Sequence, residues 1–159
     1  MDPLLKLLRI RARDTDEELA RQLGLSTREV ADRRAEYERS GVIRGYQAVL
    51  NEDALDLDSV TAIIEVKLTP EREGGFNHIA ERICRFPEVQ HAYLVSGQAD
   101  LLLFIQGRHL RDVGAFVSEK LAPMTGVTAT ATSFMLKTYK LNGVGMDMPS
   151  DTERLQVSP

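Results

Sequence analysis

The chain has one cysteine, no long apolar run and little net positive charge, and each shortage excludes something. No stretch approaches the roughly 20 uninterrupted apolar residues that span a bilayer, and the opening MDPLLKLLRIRAR lacks the apolar core of a signal peptide. A cytoplasmic protein with no membrane partner is therefore expected. A single thiol forms no internal disulfide, and Cys84, set near Ile79, Ala80 and Ile83, is expected to be a small buried core residue. His78, His91 and His109 lack metal-ligand spacing with acidic or thiol partners. Neither a G-x-S-x-G nucleophile motif nor a phosphate-cradling glycine loop is present. The sequence thus predicts no enzyme, no metal and no cofactor.

The 159 residues carry a net charge of −4, a poor footprint for a nucleic-acid binder. The charge is unevenly spread. Residues 1 to 50 hold ten basic groups against nine acidic, whereas residues 51 to 159 hold ten against fifteen. At +1, one copy of the first half should grip DNA weakly, and several linked copies would be required.

The first fifty residues read as three helices. Asp2-Pro3 opens a run in which Leu4, Leu5, Leu7 and Leu8 recur at helical spacing. Thr15 with Glu18 forms a capping box ahead of Leu19, Ala20 and Leu23, with Gly24 as the stop. Ser26 with Glu29 repeats the box and starts a third helix that runs to Gly41. Two helices about the turn Gly24-Leu25-Ser26, covered by a preceding one, make a tri-helical, winged-type helix-turn-helix. With Val30 and Tyr37 turned inward, Arg28, Asp32, Ala35 and Arg39 face out. Ser26, Thr27, Arg28 and Asp32 lie at the end that enters the major groove, where an arginine pairs bidentately with guanine, and Arg33, Arg39 and Arg44 suit phosphates. The same charges also read as a solvated face laced by pairs such as Glu29 with Arg33 and Arg34 with Glu38.

A strand at Tyr46 to Leu50 and an acidic linker to Ser59 separate this domain (1–45, then a hinge at 46–59) from a second at 60–142. There Val60 to Leu68 alternates, Phe76 to Phe86 keeps helical spacing, Val89 to Val95 and Leu101 to Ile105 read as strands, Leu110 to Leu121 as a helix and Val127 to Tyr139 as a last strand. The order βαββαβ is ferredoxin-like, an antiparallel sheet with both helices on one face, so the whole chain is α+β. The third strand is apolar on both sides, which predicts that a second copy covers the bare face around Leu102 and Phe104 and places two DNA-binding heads on one particle. Residues 143–159 show no period and are expected to be a flexible tail.

Residues 4 to about 142 resemble the leucine-responsive/asparagine regulator (Lrp/AsnC, or feast/famine) family. The resemblance is carried by Glu18-Leu19-Ala20, Leu25-Ser26, the run Ser40-Gly41-Val42-Ile43-Arg44-Gly45-Tyr46, then Phe86-Pro87-Glu88-Val89, Ser96-Gly97-Gln98-Ala99-Asp100-Leu101 and Thr130-Ala131-Thr132. It implies a RAM/ACT-like second domain, a homodimer assembling to a tetramer or octamer on double-stranded DNA, and an amino-acid or related effector bound where dimers meet. Ser96 to Asp100 is similar to the effector loop: N–H groups near a glycine can hold a carboxylate and Asp100 an ammonium, with Thr130 and Thr132 completing the pocket. Alternatively, Gly97 makes a hairpin turn that Asp100 caps. Two departures stand out: Ala99 replaces a usual aromatic, and Arg34 a usual buried aliphatic. Weakly specific architectural wrapping of DNA, and the tetrapyrrole decarboxylation of some relatives, are the competing functions.

Overall fold

A computed structural model of the chain describes residues 1–55, 58–70 and 75–146. The chain divides into two compact units, residues 1–49 and 50–159.

The first unit is built from α1 (Pro3–Ile10), α2 (Asp16–Leu23) and α3 (Thr27–Arg39). All three N-termini are capped as the sequence predicts. Asp2 accepts from the Leu4 N–H at 2.7 Å, and Thr15 and Ser26 each make a complete, reciprocal capping box with Glu18 and Glu29. Gly24 ends α2 at φ 65°, a left-handed conformation that side chains with a Cβ adopt only with strain. Leu4, Leu8, Leu19, Ala20 and Val30 form the buried core, and Tyr37 and Ile43 pack against it. The strand expected at Tyr46–Leu50 is not formed: residues 43–50 have no strand partner among the described residues, and no hairpin wing occurs among residues 1–49.

The second unit is a four-stranded antiparallel sheet in the order β2-β3-β1-β4, from β1 (Val60–Leu68), β2 (Val89–Leu94), β3 (Leu101–Gly107) and β4 (Val127–Phe134). Helix α4 (Asn77–Ile83) joins β1 to β2. Helix α5 (Leu110–Ala115) continues as one wider, π-helical stretch Phe116–Leu121 before β4. Alternation dictates which side each strand buries. Ala62, Ile64, Val66 and Leu68 of β1 are buried together with Leu101, Leu103 and Ile105 of β3. Ile79 and Ile83 from α4, with Phe116 and Leu121 from α5, close this core, and the Phe86 ring meets Phe116 edge-on at 5.5 Å.

The sequence overran one strand and missed a hairpin. β4 stops at Phe134 rather than Tyr139, after which Met135 still donates its N–H to the Thr61 carbonyl at 2.9 Å. The presumed tail begins instead with half of a hairpin: β5 (Lys140–Leu141) pairs with β6 (Val144–Gly145) across Asn142-Gly143, both at positive φ. Residues 147–159 lie outside the described residues. Cys84 is exposed, not buried, because α4 ends at Ile83 and Cys84 caps it on the outward side.

Candidate nucleic-acid interface and effector loop

Helix α3 turns three kinds of side chain in three directions. Val30 is fully buried and Tyr37 half-buried, with the hydroxyl of Tyr37 shielded from water beside Asp2, so that its ionisation is pushed to higher pH. On the opposite side Thr27, Arg28, Asp32, Ala35 and Arg39 are exposed, Arg28 and Asp32 facing each other one turn apart at 3.9 Å. Ser26 is committed to its cap: its hydroxyl bonds the Glu29 N–H and carboxylate. Those bonds hold the Glu29 carboxyl below its ordinary value, as the Thr15 cap does for Glu18.

The arginines divide by partner. Arg39 pairs with Glu36, Arg33 approaches Asp2 at 3.9 Å, and the Arg44 guanidinium lies over Gly41. The anticipated Arg34–Glu38 pair is absent. Arg34 instead reaches Asp16 at 2.6 Å and donates to the Asp14 carbonyl at 3.3 Å, while Glu38 accepts from the Tyr46 hydroxyl at 2.8 Å. Glu29 is occupied by Ser26 and makes no close pair with Arg33.

In the second unit the turn Ser96–Asp100 joins β2 to β3. Asp100 caps the end of β1: its Oδ2 accepts from the Leu68 N–H at 2.8 Å and its own N–H donates to the Val66 carbonyl at 3.0 Å. The capping expected of this residue is formed, and its Oδ1 takes no hydrogen bond among the described residues. The N–H groups of Ser96, Gly97, Gln98 and Ala99 donate none among the described residues. Ser96, Gly97 and Gln98 are exposed, and Ala99 is buried. Thr130 lies directly opposite Val66 and Thr132 opposite Ile64, on the far side of β1. The width of one strand thus separates Thr130 from the Asp100 turn, two strand spacings or about 10 Å.

The face of the sheet away from the helices carries Leu102 and Phe104, both half-buried, with Tyr93 opposite Leu102 and His91 opposite Phe104. His91 and Tyr93 stack at 6.3 Å, and both meet the Phe104 ring edge-to-face at 5.6 and 6.1 Å. Tyr93 is 51% exposed. Part of the face forms the floor of a cleft of about 430 Å³ walled by Leu50 to Asp53 and by Met135 to Thr138 with Leu141. Sequence reasoning missed this cleft, although the Asn142-Gly143 turn that folds its wall back was a readable signal.

No helix among the described residues is long and apolar enough to cross a membrane, and no three His, Cys, Asp or Glu side chains there converge as a metal site requires. Residues 61–144 match the model of the Lrp/AsnC ligand binding domain. Over 157 residues the chain is 40% identical to the helix-turn-helix-type transcriptional regulator YugG of Bacillus subtilis, covering 98% of this chain and 95% of that one. It is 34% identical to the leucine-responsive regulatory protein of Rhizobium meliloti over 137 residues, 86% of this chain and 87% of that protein. Among solved structures it is similar to a Neisseria meningitidis transcriptional regulator in complex with L-methionine, at 25% identity and a TM-score of 0.69, covering 94% of this chain and 96% of that one. Two capped helices about a glycine turn, a ferredoxin-like sheet in the second unit and these likenesses over nearly the full length converge: the chain belongs to the Lrp/AsnC family of transcriptional regulators.

Proposed function

We propose that the protein is a regulator that binds double-stranded DNA as a dimer or larger assembly and responds to an amino acid. The observation that carries the DNA half is the outward stripe of α3, where Thr27, Arg28 and Asp32 stand exposed at the helix start while the opposite side is committed to the core. Arg28 has the fork geometry that reads guanine, and Arg39 and Arg44, farther along, suit phosphates. One such head is weakly basic, so a second copy laid on the Leu102–Phe104 face supplies the affinity by multivalency.

The effector half rests on the turn at Ser96 to Asp100. Successive N–H groups without protein acceptors suit a carboxylate, and the open Oδ1 of Asp100 suits an ammonium. Thr130 faces the same end of β1 from its other side, opposite Val66, and Thr132 lies two residues farther along β4. That a related regulator is solved with L-methionine favours an amino acid of this general kind. Binding there would shift how dimers associate, and hence how many heads reach one duplex.

The DNA reading is tested by titrating duplexes enriched by the wild-type protein from a random pool. Arg28→Ala should relax preference at one base position, whereas Arg39→Ala should weaken all duplexes alike and flatten the salt slope by about 0.9. Discrete spaced footprints separate regulation from architectural wrapping, which would protect DNA uniformly. Binding by both variants indistinguishable from wild type removes these assignments.

A further inference from the structure

Arg34 sits where α3 should be apolar. At about 100° per residue it falls between Val30 and Tyr37, facing the rest of the unit, and its side chain is only 20% exposed. Its guanidinium pairs with the Asp16 carboxylate at 2.6 Å, donates to the Asp14 carbonyl at 3.3 Å and lies beside the Tyr46 hydroxyl. Asp14 and Asp16 flank the N-terminus of α2, and Tyr46 belongs to the segment leaving α3. One side chain of the reading helix therefore touches both the helix before it and the chain after it.

Stability alone is a poor explanation for this arrangement. The Arg34 Nε is buried without an acceptor, and the Asp16 contact is ionic rather than a well-aligned hydrogen bond. An apolar side chain at such a place commonly stabilises a fold as well as a partly buried ion pair does. What a guanidinium adds is direction: its terminal Nη2, held on a rigid planar group, meets the Asp16 carboxylate and the Asp14 carbonyl at once. We propose that Arg34 is a positioning residue for DNA reading, its guanidinium clamping α3 to the start of α2 through Asp16 and Asp14 and so fixing how Thr27, Arg28 and Asp32 meet base edges. This rests on α3 being the reading helix.

The test uses the full chain, the duplex enriched by wild type and a random duplex. Arg34→Leu should keep its melting temperature within a few degrees, bind the enriched duplex about tenfold more weakly, and leave random-duplex affinity and the salt slope unchanged. Asp16→Asn discriminates further. It removes a negative charge, so by charge alone it should tighten binding to DNA, whereas loss of the clamp should weaken binding to the enriched duplex several-fold. The double variant should be no weaker than Arg34→Leu, since both remove one interaction. If Arg34→Leu does not fold, Arg34→Lys, which keeps the charge without the fork, and Asp16→Asn decide the matter. The proposal is overturned if Arg34→Leu flattens the salt slope by about 0.9 while Asp16→Asn is silent, which would make Arg34 a phosphate contact. It is also overturned if these variants retain full preference for the enriched duplex. A wild-type protein that enriches no sequence instead defeats the DNA reading itself, and the clamp with it.

Discussion

The two units solve the same problem by different means. The first buries five small-to-medium side chains and fastens its helices with polar ties: three caps, the Arg34–Asp16 pair and the Asp2 carboxylate beside Tyr37 and Arg33. Among the described residues the second gathers ten into one buried cluster, all Leu, Ile, Val or Phe, between a sheet and two helices. A domain of about fifty residues buries too little surface to be more than marginal, so the first unit leans on geometry at its helix ends, and the second has enough core to leave one sheet face for other use.

That contrast can be broken by cutting each core once. Leu103, fully buried in the middle of β3, should cost about 3 kcal/mol as Leu103→Ala. Val30→Ala should cost about 2 kcal/mol. The smaller loss should nevertheless open more of its own unit, because the first unit has less stability to lose. Hydrogen exchange read by mass spectrometry separates the units. The contrast fails if Val30→Ala leaves residues 1–49 as protected as in wild type.

A weaker effect should come from acid. The folded-state pKa values of Glu18 and Glu29 are lowered chiefly by the Thr15 and Ser26 caps, so their contribution is present above the ordinary carboxyl value of 4.5 and is lost as pH falls through the depressed folded values. Both carboxylates are exposed and the change is correspondingly small. Glu88, lowered by Lys120, is the counterpart in the second unit. Between about pH 6 and pH 3, amides in the first turns of α2 and α3 should lose protection before those of the central strands, and Glu18→Gln with Glu29→Gln should flatten that dependence. Protection unchanged across this range would show that the caps do not limit the first unit.

Much of this was legible in the residues because local and global signals agree. The capping boxes at Thr15 and Ser26, the glycine stop at Gly24 and the alternation of Val60 to Leu68 each state one structure, and each formed. The failures occur where a signal needed a partner elsewhere in the chain. Tyr46 to Leu50 alternates but has no strand neighbour among the described residues, so it forms no strand. Cys84 keeps company with apolar residues in sequence, yet the helix ends one residue earlier and turns it outward. Arg34 was visible as an exception on an apolar face, but nothing local said that Asp16, eighteen positions earlier, would receive it. In the effector turn the residue types were readable and their pairing was not. The capping of Leu68 by Asp100 depends on where β1 ends in space.

A second copy of the chain covering Leu102 and Phe104 is what would join the weak heads into one grip, and sedimentation of wild type and Phe104→Lys, each alone and with an enriched duplex, tests this most directly. The expected result is a wild-type dimer or larger particle, a monomeric variant, and at least tenfold weaker DNA binding by that monomer. A wild-type protein that sediments as a monomer and still binds the duplex as tightly as Phe104→Lys does would contradict it.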